Sequence, residues 1–139
     1  MTTDINDAVM LAARLLLTAL FLIFGYRKLV DIPGTKAQMV EERAPAPVVA
    51  TAISVLMELP VSFAVAVGMF TRVFALLMAF YTLGTALIGH RYWALKGRAK
   101  IDSMDSFFKN LAIIGGFLLL YLTGAGRYSI DALIGIAAH

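Results

Sequence analysis

The chain has 139 residues, 60% of them apolar and 15% charged, with no cysteine and a mean hydropathy of +0.83. Soluble domains carry roughly 45–50% apolar and about 25% charged residues, so the composition excludes an ordinary water-soluble fold and points to lipid as the solvent. Without cysteine there are no disulfides, thiolate metal ligands, iron–sulfur clusters or thiol redox chemistry, and the net charge of +3 is scattered between apolar runs, which speaks against nucleic acid as a partner.

A helix that crosses a bilayer needs about 20 mostly apolar residues. Four such runs follow one another, Ala8 to Tyr26, Val48 to Gly68, Val73 to Tyr92 and Phe107 to Thr123. No stretch alternates with period two, and the Leu, Ala and Met content favours helix. The expected fold class is therefore all-α, an integral membrane four-helix bundle forming a single domain over residues 1–139.

The first run is preceded by Asp4 and Asp7 and followed by Tyr26-Arg27-Lys28 instead of a small-residue cleavage site, so it reads as a retained helix and not as a secretory signal. Gly25 and Lys28 close it. The connection that follows contains Gly34 to Arg43, which suits either a short helix lying in the membrane interface or a polar loop. Pro45 and Pro47 precede the second span, and Gly68 with Thr71-Arg72 makes a tight turn into the third. Lys and Arg concentrate in the first connection (Arg27, Lys28, Lys36, Arg43) and the third (Arg91, Lys96, Arg98, Lys100), so these loops are expected in the cytoplasm and both termini outside.

The informative residues are those that lipid should exclude. Arg14, Glu58, Lys109 and Asn110 lie within the apolar segments, and His90 lies near the end of one. A charge at the centre of a lone spanning helix costs roughly 2.5–3.5 kcal/mol on insertion scales, so such groups turn inward and pair. Depths counted from the span ends predict an Arg14–Glu58 pair between the first two spans, either a ligand or proton site or a clamp on helix register. Arg14, Thr18, Phe21, Gly25 and Lys28 recur at helical spacing as an inward stripe, as do Ser54, Glu58, Ser62 and Val65 on the second span. Thr82, Thr85 and Gly89 form a similar line on the third. Lys109 and Asn110 point about 100° apart and cannot share one narrow contact. Metal or haem ligation is disfavoured, because the other histidine, His139, is expected on the opposite side of the membrane. A weak two-plus-two repeat pairs Gly25-Tyr26-Arg27 with Gly89-His90-Arg91.

The closing segment has its own physical reading. Gly124 and Gly126 permit backbone angles closed to other residues, Ser129 can cap a short helix, and Asp131 suits its first turn. Arg127 could bond Asp131 or reach phosphate groups.

Taken in order, Arg14, Phe21 to Gly25 with Lys28-Leu29, Glu58 before Gly68, His90 beside Trp93, Phe108-Lys109-Asn110-Leu111-Ala112 and the ending Gly124-Ala125-Gly126-Arg127-Tyr128-Ser129-Ile130-Asp131 resemble the DoxX family. The resemblance implies a small four-helix protein of the bacterial inner membrane, with relatives associated with quinone-linked thiosulfate oxidation and with complexes handling thiol and superoxide stress. The expected role is an auxiliary or anchoring subunit of a quinone-linked or stress-related oxidoreductase. The alternatives are a quinone-binding oxidoreductase in its own right or a small transporter built by homo-oligomerisation. Quinone is the candidate cofactor, and the lipid bilayer and oxidoreductase subunits are the candidate partners.

Overall fold

The computed structural model describes residues 1–136, so His139 lies outside the described residues. No strand occurs among them, and the helices run α1 (Thr2–Val30), α2 (Ile32–Glu41), α3 (Pro47–Val67), α4 (Thr71–Gly89), α5 (Gly97–Thr123) and α6 (Ile130–Leu133). A single 3-10 turn, Tyr92–Ala94, extends α4. Helices α1, α3, α4 with its extension, and α5 are each long and apolar enough to cross a membrane.

The four expected spans are all present, but two helices outrun them. Helix α1 starts at Thr2 instead of Ala8 and α5 at Gly97 instead of Phe107. Counting apolar residues finds only the part that lipid can solvate; the extra turns of α5 are polar, held partly by an Arg98–Asp102 pair at 3.2 Å and by Ser106 Oγ donating to the Asp102 carbonyl at 3.0 Å.

The first connection is a helix. The Asp31 carboxylate accepts the Gly34 N–H at 2.9 Å, Pro33 occupies the first turn, and the Thr35 hydroxyl donates back to the Asp31 carbonyl at 2.8 Å. Thr35 and Met39 are buried beneath α2, while Ile32, Lys36 and Val40 face out.

Helix α3 is not a uniform α-helix. Pro60 has no N–H and its ring would crowd the carbonyl one turn back, and the chain answers with a π turn over Met57–Val61 that carries Glu58. At this level α1 comes unusually close, because Gly25 has no side chain. A Cβ there would lie 2.8 Å from Glu58 Cβ and 2.8 Å from Leu59 Cγ.

Helix α1 packs along α3 and α4 along α5, and the two pairs join through α3 with α4 and through α1 with α5. Phe21, Val65, Ala75, Met78, Ala79, Phe117 and Leu120 form the common core, with the Phe21 and Phe117 rings 5.6 Å apart. The outer faces are apolar too: Leu16, Ile23, Phe80, Leu119 and Leu122 are all exposed. A soluble bundle would bury such residues; here acyl chains solvate them.

At the end of the bundle where α1 begins and α5 ends, the closing segment is a structural clasp. Gly68 leaves α3 with φ +75 and presses on Ser129, whose Cβ would lie 2.4 Å from an added Gly68 Cβ. Asp131 N–H donates to the Gly68 carbonyl at 2.8 Å. Its carboxylate accepts the Phe70 and Thr71 N–H groups at 2.7 and 2.9 Å, so it caps α4 from a distant part of the chain. That bond also holds Phe70 at φ 47, the left-handed region a bulky side chain avoids. Ser129 caps α6 as expected, accepting the Ala132 N–H at 3.1 Å.

Candidate functional site

Arg14 and Glu58 do not pair. Along the α1–α3 contact, Arg14 lies beside Ala66, Thr18 beside Ser62 and Gly25 beside Glu58. Ala66 and Glu58 are eight residues apart, about 12 Å of helix, more than the side chains bridge. The register differs because α1 starts at Thr2 and runs past the end of α3, so that Arg14 meets α3 at Ala66, one residue before its end at Val67.

Arg14 instead donates to three backbone carbonyls. Its Nε reaches Ala66 O at 3.2 Å, its Nη2 reaches Tyr128 O at 2.7 Å, and its Nη1 bonds Ala125 O. These carbonyls belong to the end of α3 and to the closing segment, which otherwise lack helical partners. Arg14, 1% exposed, is thus the clasp's central pin.

Glu58 has a different company. Its Oε1 accepts from Lys28 Nζ at 2.5 Å and from Tyr81 Oη at 2.5 Å, bringing α1, α3 and α4 to one atom. Its Oε2 is buried and has no hydrogen-bond partner. Lys28 lies on the inward stripe of α1 that the spacing predicts, and Tyr81, absent from the stripe Thr82, Thr85 and Gly89, follows buried Met78 by three residues and precedes Thr85 by four, a helical spacing that places it inward.

Lys28, Glu58 and Tyr81 line an open cavity of about 1120 Å³. Phe21, Phe24 and Leu20 of α1 and Val49 and Ile53 of α3 make its apolar walls, and α2 contributes Thr35, Gln38 and Met39 along one side, with Glu42 just past its end. Thr85 and Ile88 of α4, His90 just past its end and Asn110 of α5 complete it. The volume exceeds that of many small-molecule sites, which run about 300–1,000 Å³.

The remaining candidates divide. His90 and Asn110 line the cavity with Glu58, and Asn110 Nδ2 lies 3.5 Å from Thr85 Oγ1. Lys109 does not join them: it is exposed on the outer face of α5, one helical step from Asn110, where its charge can snorkel to headgroups. Arg127 bonds neither Asp131 nor any buried group; its Nη1 lies 3.4 Å from Asp4 Oδ1 and its backbone N–H donates to Asp7 Oδ1 at 3.1 Å. Asp131 is unavailable to it because both carboxylate oxygens already cap α4. Gly124, Gly126, Ser129 and Asp131 belong to the clasp and lie outside the cavity lining. Among the described residues no group of three or more His, Asp or Glu side chains gathers that could hold a metal ion.

Comparison with known proteins gives concordant results. The DoxX family profile matches residues 9–91. The Escherichia coli (strain K12) inner membrane protein YphA is 45% identical over 126 residues, 91% of this chain and 90% of its own. Inner membrane protein YqjF of the same organism is 38% identical over 130 residues, 94% of this chain and 95% of its own. No solved structure matches. The matched stretch of the chain spans Arg14, Lys28, Glu58 and Tyr81, and with two relatives matched over nine-tenths or more of their length it establishes that the chain belongs to the DoxX family, as an integral inner-membrane protein.

Proposed function

We propose that the chain is an auxiliary membrane subunit that supplies a pocket for a quinone-type ligand to an oxidoreductase. One observation carries this reading: a cavity of about 1120 Å³ inside an apolar bundle, lined by a buried carboxylate that a lysine and a tyrosine hold in place. A ring with polar oxygens and an apolar tail needs such a site, with apolar walls for most of its surface and a few fixed hydrogen-bonding groups for its oxygens. The chain has no cysteine to exchange electrons through thiols, so electron transfer in this reading falls to a partner subunit.

The test is extraction from native membranes in mild detergent, followed by mass spectrometry of bound lipids and proteins. The reading expects close to one isoprenoid quinone per chain and a redox enzyme in fixed ratio. Quinone at the level carried by an unrelated membrane protein overturns the pocket; a solitary oligomer that nonetheless carries quinone overturns the auxiliary role and leaves an independent quinone-binding protein.

A further inference from the structure

We propose that the cavity takes its ligand sideways from the bilayer, through the seam between α3 and α4, and that Gly84 leaves the room in which the ligand's long apolar chain lies. The inference rests on the pocket reading above and adds the route and the class of ligand, a ring that carries an isoprenoid chain.

The argument begins with what the glycines inside the spanning helices are for. A glycine weakens a helix relative to a residue with a side chain, so its place needs a reason. Gly25 and Gly116 have one, because Glu58 and Leu59 crowd the first and Leu17 the second. Gly84 and Gly115 have no such neighbour: a Cβ at either would meet nothing within 4 Å. Gly115 is exposed on α5 and stands outside the cavity lining, whereas Gly84 is part of that lining. The space that Gly84 leaves open is therefore cavity space.

Levels along the seam can be counted from the tight turn that joins α3 to α4. Glu58 precedes Val67 by nine residues and Tyr81 follows Thr71 by ten, about 14 and 15 Å of helix, and their side chains do bond. By the same count Ile53 and Gly84 lie about 21 and 20 Å from the turn, and Val49 and Ile88 about 27 and 26 Å. Just past the Glu58–Tyr81 bond, α3 thus sets Ile53 at the level where α4 has no side chain. Ile53 and Val49 line the cavity and are exposed as well, so this wall is also turned to lipid.

Other ways out are less suited to an apolar chain. Helix α2 is tied to the end of α1 by the Thr35 hydroxyl on the Lys28 carbonyl at 3.2 Å, and Arg91, past the end of α4, bonds the Glu42 carbonyl. It lies across the end of the cavity away from the clasp. Leu20 and Phe24 of α1 also line the cavity and are exposed, but the Arg27 guanidinium lies over the Phe24 ring at 5.8 Å and sets a charge there. The polar end of the ligand has Lys28, which keeps N–H protons beyond the one given to Glu58.

The experiment measures binding of two probes to the full chain in lipid nanodiscs, a benzoquinone with an isoprenoid chain and the same ring with a methyl group in its place, each scaled to its concentration in the lipid. Gly84→Leu is expected to weaken the chain-bearing probe by about tenfold or more, the scale of overpacking, and the chainless ring by less than about threefold. Gly115→Leu is expected to leave both within about threefold of wild type. Unchanged binding of the chain-bearing probe by Gly84→Leu, or equal loss of both probes, overturns the inference and leaves the pocket in place. Absence of binding of both probes to the wild type overturns the pocket reading too. A second measurement needs no variant: a diazirine in the chain is expected to label Ile53, Gly84 or Ile88 above the level of Leu119, an exposed residue of α5 outside the lining. Labelling of the seam at the Leu119 level, as bulk lipid would give, or concentrated at Leu20 and Phe24, overturns the inference.

Discussion

Lys28 Nζ stands 2.5 Å from Glu58 Oε1 across the α1–α3 contact, with the lysine side chain 19% and the glutamate side chain 5% exposed. The pair sits where Gly25 lets the two helices nearly touch and where Pro60 widens α3 into a π turn. Both features bring α1 and the Glu58 backbone together, so a side chain anchored one turn after Gly25 reaches the carboxylate.

A buried ion pair adds little net stability, yet removing one partner strands the other. Lys28→Met is expected to destabilise the bundle by about 3–5 kcal/mol, and Lys28→Met with Glu58→Met to recover most of that loss. Unfolding titrations in mixed detergent micelles measure the cycle. Two single substitutions that each cost under about 0.5 kcal/mol, the range of ordinary surface changes, would show that the pair is not desolvated.

Tyr81→Phe removes the second donor to Glu58 Oε1 and keeps the ring that packs 6.5 Å from Phe21. The expected loss is about 1.5–3 kcal/mol, the scale of a hydrogen bond to a charged group. The same unfolding assay reads it, and no change would mean the hydroxyl is otherwise engaged.

Two glycines should behave oppositely. Gly25→Ala places a methyl group 2.8 Å from Glu58 Cβ and should cost about 1–3 kcal/mol by overpacking. Gly115→Ala, in α5 with nothing within 4 Å, should stabilise by about 0.8–1 kcal/mol through helix propensity alone. Equal effects would contradict the close α1–α3 approach.

Arg14 should separate structure from binding. Arg14→Lys cannot reach the carbonyls of Ala66, Ala125 and Tyr128 together, so it should cost at least about 2 kcal/mol. Ligand affinity at the cavity should stay unchanged, since Arg14 is not among its lining residues. A parallel loss of affinity in a folded variant would place Arg14 in the binding machinery.

Much of the bundle was legible in the sequence because lipid imposes one rule: runs of about 20 apolar residues become spans. The inward stripe through Arg14, Thr18, Phe21 and Gly25 was equally legible, and all four are buried. The partners were not. Register between two helices is set where they touch, at Gly25 against Glu58 and Leu59 and at Arg14 against Ala66, and no count from the apolar ends records it. Lys28 carried two signals, an inward position and a loop charge for orientation, and its partner is thirty residues away. Tyr81 was hidden because a tyrosine in an apolar helix looks like core until a carboxylate is placed beside it.

The Lys and Arg count predicts cytoplasmic first and third loops, an expectation that the cysteine-free chain makes directly testable. Cysteines placed at Lys36 or Arg98 should resist an impermeant maleimide added to intact spheroplasts, and one placed at Asp4 should react. The reverse pattern would invert the bundle.

A high-resolution structure of the natively extracted particle would show whether the cavity beside Glu58 holds a ligand. Continuous non-protein density is expected there, with a polar atom within hydrogen-bond distance of a polar side chain of the lining; a cavity closed by side chains, or holding only water around a Lys28–Glu58–Tyr81 cluster, would rule the ligand out.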